Sequence, residues 1–254
     1  MKKGDKITKI AVPIGTIGCI LAIWAIAAAI AGEDLILPRP LSVLREFFLL
    51  FADGAFYRAY FATLGRSLIA FAVSFVLAFL AAAGARSNAV FNRAVTTLLP
   101  LIRALPTVAV ALLLVLWTTS RAAAVIVTML VVLPTLYTNA ENALGAVPEE
   151  LKQMCRVYRI PKKKRFFAIY LPIVAPSAVS AAGAGLSLNV KLMVAAEVIA
   201  AVSQGLGREL NRDKINFETA HMLALVLAVV LTGIVVELAA RMISRAMVKK
   251  YADS

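Results

Sequence analysis

Apolar and polar residues alternate along this chain in long blocks, not in the short periods of a water-soluble fold. Six blocks each hold about 20 mostly apolar residues, the length a helix needs to cross a bilayer. They are residues 10–31, 64–85, 94–117, 122–143, 173–202 and 220–243. The third is interrupted by Pro100, Arg103 and Pro106, the fourth contains Pro134, and the fifth is rich in Ala and Gly. The sixth, HMLALVLAVVLTGIVVELAARMI, runs without a break. The pattern predicts an all-α membrane protein of six transmembrane helices, one domain over residues 1–254. The first block follows a basic start, as in a signal peptide. It is long enough to span, however, and is read as a retained first helix.

Two polar stretches carry patterns of their own. LPRPLSVLREFFLLF places Leu41, Leu44, Phe47, Phe48 and Phe51 on one helical face. That fits either a helix lying on the membrane surface or the extended start of the second span. Residues 146–172 form the longest basic segment between spans. Pro148 suits a first turn, and Glu149 and Glu150 behind it suit the positive end of a helix dipole. Leu151, Met154, Cys155 and Tyr158 then fall at i, i+3, i+4 and i+7, an apolar face. Ile160-Pro161 breaks the helix, and KKKRFFAIY restarts it before Pro172 opens the fifth span. A loop that only enforced topology would need charge alone. An amphipathic helix on the water side of a membrane wants a groove in a partner.

Composition sharpens this picture. The chain of 254 residues is 61% hydrophobic and 16% charged, against about 45–50% and 25% in soluble domains. Its net charge of +13 does not imply nucleic acid, because the bases lie between apolar spans with no basic-aromatic module. With both termini inside, the inner segments hold 17 of the 27 basic residues, the clusters around Lys2, Lys3, Lys6, Lys9, residues 152–165 and residues 241–250 among them. The outer segments gather acids, including Glu33, Asp34, Glu46, Asp53, Glu209, Asp213 and Glu218. The positive-inside rule therefore places both termini in the cytoplasm. Cys19 and Cys155 lack redox or metal spacing, and His221 has no His or Cys near it, so no metal site is expected. No phosphate-binding loop, HExxH or GxSxG is present, and no catalytic residue is expected.

Ionisable groups within spans are costly and mark cavities or partners. Lys191 near mid-span is the leading candidate for a translocation path, with snorkelling or an interhelical ion pair as the alternative. Arg103 and Pro106 suggest a broken, pore-lining third helix, or else a kink that lets Arg103 reach the interface. Glu197 joins them as a path candidate, although a structural hydrogen bond suits its place near the outer end. Asn139 and Glu141 suit a structural role, and Glu237 has the i, i+4 spacing to pair with Arg241. The small residues of SAVSAAGAGLSLN allow close helix approach, between subunits or within one.

Residues 153–172 resemble the EAA loop of ABC-importer permeases, E-A-A, three residues, G, nine residues, I-x-L-P. Gln153, Met154 and Cys155 take the E-A-A places, Arg159 the glycine place, and Ile169, Leu171 and Pro172 match the end in register. LPRPLSVL resembles the Leu-Pro-x-Pro stretch of the nitrate/sulfonate/taurine group, and ATLGRS its Thr-Leu-x-Arg-Ser opening of the second span. LLPLIRALPTVAVALLLVLW is similar to its third span, and AAEVIAAVSQGLGREL to the end of its fifth. The resemblance covers about residues 35–247. It implies a type I permease fold whose loop between helices 4 and 5 is a coupling helix. Leu151, Gln153, Met154, Cys155, Tyr158, Arg159, Ile169, Leu171 and Pro172 would then couple to cytoplasmic ATPase subunits. A second permease copy would complete the path, and an extracytoplasmic binding protein would deliver a small, anionic solute. ATP and Mg would sit on the ATPase, with no cofactor on this chain. A pyrimidine-type vitamin precursor is the alternative solute, and a membrane scaffold without transport the alternative of another class. Arg159 must make the glycine turn differently or extend the helix, and Gln153 removes the motif's charge.

Overall fold

A computed structural model of the chain describes residues 3–252. The side chains of residues 3–11, 13, 14, 162 and 250–252 fall outside that description, so Lys2 and the side chains of Lys3, Lys6, Lys9, Lys162 and Lys250 in the basic clusters are not described. Among the described residues the regular structure is entirely helical. The order is α1 (Lys3–Ala31), α2 (Pro40–Leu50), α3 (Gly54–Ser87), α4 (Ala89–Ala104), α5 (Thr107–Trp117) and α6 (Ser120–Gly145). Then come α7 (Glu149–Val157), α8 (Lys162–Arg165), a π-helical turn (Phe166–Tyr170), α9 (Leu171–Ile199), α10 (Leu206–Asn216) and α11 (Thr219–Ala252).

Four continuous helices are long and apolar enough to cross a membrane: Gly54–Ser87, Ser120–Gly145, Lys163–Ile199 and Thr219–Lys249. The expected third span is not one helix. Pro106 holds Leu105 extended (φ −66°, ψ 129°), because the proline ring clashes with an α-helical residue before it. The result is α4 and α5 bent by 91°, which makes at most a fifth span. Of the expected first span, the described apolar part is Gly15–Ala31, shorter than the other four. KKKRFFAIY joins the fifth span without a gap. Helix runs on from Lys163 to Ile199, and the Leu171 N–H donates to the Phe166 carbonyl five residues back. That wider turn accommodates Pro172 in the first turn of α9.

The chain divides into two compact units. The first comprises Met1–Arg58 and Glu209–Ala228. Here α2 is a helix in its own right, started by Pro40 and ended before α3 begins, so LPRPLSVLREFFLLF is not an extended start of the second span. Val43 and Leu50 are buried, while Leu41, Leu44, Phe48 and Phe51 stay exposed. Trp24 Nε1–H donates to the Pro38 carbonyl (3.1 Å), and the Thr219 hydroxyl to the Leu35 carbonyl (2.6 Å). His221 is not solitary: its Nδ1 lies 2.6 Å from Asp213 Oδ2, and Arg212 reaches the other oxygen at 3.2 Å. Glu218 brings a third ligand-type atom, a carboxylate oxygen, to within 4.8 Å of that pair.

The second unit comprises Ala59–Arg208 and Val229–Ser254. Its core is built from small residues, which let helix backbones approach closely. Ala111, Ala123, Ala124 and Ala196 pack around Val127 and Met193. Ala78, Ala82 and Ala85 of α3 pack against Leu99, Val132 and Leu136. The fifth-span glycines are spent inside this unit. A Cβ on Gly183 would fall 2.0 Å from the Ala240 methyl, and one on Gly185 would fall 2.5 Å from Leu136.

Candidate functional site

The basic segment forms α7 as its end signals require. Pro148 is the N-cap, Glu149 and Glu150 sit in the first turn and Arg156 in the last. Glu149 accepts from Lys152 Nζ at 2.9 Å, and Arg156 lies 3.5 Å away. The Lys152 hydrogen bond and charge hold the Glu149 carboxyl below its ordinary range. At the other end the Ile160 N–H donates to the Cys155 carbonyl (3.0 Å) and the Arg159 N–H to Arg156 (3.1 Å). Such a six-to-one closure needs a left-handed residue, usually glycine. Arg159 supplies it at φ 47°. It therefore neither extends the helix nor turns differently; it makes the glycine turn with a side chain attached.

The expected docking face of α7 divides in two. Cys155 is 1% exposed, and Leu151 packs on the cluster of Ala143, Val147 and Val174. Both anchor α7 to its own chain. Met154, Val157 and Tyr158 are 42%, 76% and 74% exposed. These three share the outward face, together with exposed Gln153. Val157 falls outside the i, i+3, i+4, i+7 spacing of the expected face, so the sequence pattern alone does not mark it. Ile169 lies in the π-turn, half-buried, and Leu171 and Pro172 start α9.

The two stretches Thr-Leu-x-Arg-Ser and Gly-Leu-Gly meet in one latch. Glu197 on α9 is fully buried. Its Oε1 accepts from Arg66 Nε (2.9 Å) and Nη2 (2.6 Å). Its Oε2 accepts from the Thr63 hydroxyl (2.8 Å) and the Gly207 N–H (3.0 Å). Thr63 in turn accepts from the Leu206 N–H (2.8 Å), and Arg66 donates to the Gln204 carbonyl (2.6 Å). Gly205 sits at φ 135°, and a Cβ there would be 2.3 Å from Arg66 Nη2. A Cβ on Gly207 would meet Glu197 Cβ at 2.3 Å. Only glycine fits either place. Further along the same two helices, Asn189 Nδ2 donates to the Ser67 carbonyl and hydroxyl, both at 2.7 Å. The Glu197 carboxylate thus faces protein donors on both oxygens. Thr63, Arg66 and Ser67 lie at i, i+3 and i+4, a polar stripe on an apolar helix that would have marked this face in the sequence.

The remaining ionisable residues lie apart from the latch. Arg103, in the last turn of α4, donates through Nη2 to the Pro134 carbonyl (3.0 Å) and the Thr138 hydroxyl (2.9 Å). It lines a cavity of about 120 Å³ inside the α4–α5 elbow with Thr107 and Val127, and Pro106 caps α5 at that corner. Lys191 is exposed. Its stem lies over Gly233, where a Cβ would come within 3.1 Å of Lys191 Cε. Glu237 and Arg241 form the ion pair their spacing predicts.

Residues 74–249 match the family described as binding-protein-dependent transport system inner membrane component. The chain belongs to that family. It is 28% identical over 189 residues to the formylaminopyrimidine transport permease protein ThiX of Halalkalibacterium halodurans, covering 74% of this chain and 72% of that one. Its fold is similar to a chain of the MetNI methionine ABC transporter in an inward-facing crystal form, with a TM-score of 0.66 at 20% identity over 75% of this chain and 95% of that one. A second crystal form of MetNI gives a TM-score of 0.58 at 19% identity, covering 72% and 94%. The chain is a membrane-embedded permease subunit of an ABC importer with the type I fold.

Proposed function

We propose that this permease couples ATP hydrolysis on cytoplasmic ATPase subunits to uptake of a small organic solute delivered by an extracytoplasmic binding protein. The carrying observation is α7: nine residues pinned by Leu151 and Cys155, presenting Met154, Val157 and Tyr158 outward. An exposed apolar face on a rigidly held helix suits a groove in a partner. ATP and Mg belong to that partner, both termini lie on its side of the membrane, and a second permease copy completes the path. Lys191 and the α4–α5 elbow with Arg103 and Pro106 are the path candidates in this reading. Glu197, buried and held by four donors, serves as an anchor.

For the solute, the likeness to ThiX supports a pyrimidine-type vitamin precursor. A nitrate-, sulfonate- or taurine-like anion is the second reading. Arg103 is tied back to α6 through its Nη2, which leaves the exposed ammonium of Lys191 as the observation favouring an anion. The test is mild-detergent purification of the tagged protein from its host, followed by mass spectrometry and an uptake assay. An ATPase should co-purify and be released by Met154→Glu or Val157→Glu, while Lys191→Met keeps the ATPase and loses uptake. A permease that purifies alone, or holds its ATPase through both α7 substitutions, sinks the coupling assignment. An ATPase bound without uptake of any solute would favour the scaffold.

A further inference from the structure

Beside α7 the second unit opens a cleft of about 910 Å³, at the upper end of volumes that enclose drug-sized ligands. Its walls are apolar: Phe75 and Phe79 from α3 face Val174 and Val179 from α9. The α3 wall is open sideways, since Val76 and Leu80 are strongly exposed. Its mouth is charged. Arg86, Lys152 and Arg156 stand there with Glu149 as the sole carboxylate among the lining residues, three positive charges against one negative.

Arg86 is held in place for the role. It lies in the last turn of α3, its Nη2 is 3.4 Å from the Glu141 carbonyl, and it rests over Gly145, where a Cβ would come within 2.9 Å of that nitrogen. No carboxylate pairs with it among the described residues. Arginine has five donors in a fork that fits phosphate oxygens, so most of that capacity is unspent.

The dimensions match one membrane leaflet. Phe75 and Arg86 are eleven residues apart on one helix, which is about 16 Å at 1.5 Å per residue. Half of the roughly 30 Å hydrocarbon core is about the same. An apolar slot one leaflet deep, ending at the polar boundary in Arg86 and in two further cations that share the single carboxylate of Glu149, has the polarity profile of an acyl chain with an anionic headgroup. Basic pockets between spanning helices bind such headgroups.

We propose that this cleft binds an acidic phospholipid, its phosphate on Arg86 with Lys152 and Arg156, and an acyl chain between α3 and α9. The headgroup then touches the helix that carries the exposed Met154 face, so the lipid braces α7 from behind. The proposed orientation supplies only the name of the leaflet, the cytoplasmic one. Lipid binding is read on the permease without its ATPase, so it stands or falls apart from the coupling assignment.

The test is native mass spectrometry of the delipidated full-length protein titrated with phosphatidylglycerol and with phosphatidylcholine of the same chains. Phosphatidylglycerol should bind at least tenfold more tightly. Arg86→Gln should erase the preference, Val179→Trp should weaken both lipids at least tenfold by filling the slot, and Arg245→Gln, a basic residue outside the cleft, should change neither. Equal binding of the two lipids, or a preference that Arg245→Gln removes as well as Arg86→Gln, overturns the proposal. If Arg86→Gln does not fold, Val179→Trp decides: unchanged phosphatidylglycerol binding overturns it. A cleft occupied by a second copy of the chain, seen as Val179→Cys cross-linked dimers that take up no lipid, also overturns it.

Discussion

Replacing Arg66 with alanine tests the latch most directly. Glu197 is fully buried and the Arg66 side chain only 13% exposed, so little solvent screens the pair. The substitution removes two charge-assisted hydrogen bonds, at 2.9 and 2.6 Å, and leaves the carboxylate with Thr63 and the Gly207 N–H alone. Breaking a buried ion pair by removing one partner costs about 3–5 kcal/mol. Two hydrogen bonds to a charged group, at about 1.5–3 kcal/mol each, give the same range. Glu197→Gln keeps one acceptor oxygen and should cost less, about 2–3 kcal/mol. In the double variant Arg66→Ala/Glu197→Gln neither charge is stranded, and the loss should fall short of the sum of the single losses by about 2 kcal/mol. The assay is reversible unfolding in mixed detergent micelles, followed by tryptophan fluorescence. An Arg66→Ala variant within about 1 kcal/mol of the parent, or single effects that add within about 0.5 kcal/mol, would refute the buried-pair reasoning.

Three further outcomes follow from named contacts. Arg159→Gly should stabilise the end of α7 by about 1 kcal/mol, since glycine accepts φ 47° without a Cβ clash, and Arg159→Val should do the opposite; hydrogen exchange at the Ile160 amide reads both. Cys155→Asp should lower the melting temperature and yield, because it buries an unpaired charge, whereas Met154→Asp should leave the melt within a degree or two and affect only partner binding. Gly183→Val should cost about 1–3 kcal/mol by overpacking against Ala240, and Ala240→Gly in the same chain should recover part of it. A Gly183→Val protein that melts like the parent would refute the close α9–α11 approach.

Much of the helical plan was legible because its causes are local. Long apolar runs report spanning helices, Pro106 reports the elbow through its clash with Leu105, and Pro148, Glu149 and Ile160-Pro161 report the ends of α7 through proline geometry and the dipole. The resemblance in the Thr-Leu-x-Arg-Ser and Gly-Leu-Gly stretches was legible too, but not what the residues do. Arg66 and Glu197 are 131 positions apart, and no periodicity reports a partner at that distance. The same holds for Asn189 and Ser67, 122 apart.

The docking face of α7 shows the difference within a single helix. Leu151, Met154, Cys155 and Tyr158 share a 3.6-residue period with Val157 beside them, and that stripe covers more of the helix than one neighbour can bury. Composition establishes that the face is apolar. Val147 and Val174, brought close by α6 and α9, decide that Leu151 and Cys155 turn inward and leave Met154, Val157 and Tyr158 outside. Arg159 makes the point for the backbone: a side chain predicts avoidance of the left-handed region, and the hydrogen bonds closing α7 hold it there all the same. Local chemistry sets what each element is. Which of its faces is spent inside the chain depends on residues of other elements, near in sequence as Val147 and Val174 are to Leu151 or 131 positions away as Arg66 is from Glu197, and only packing brings those together.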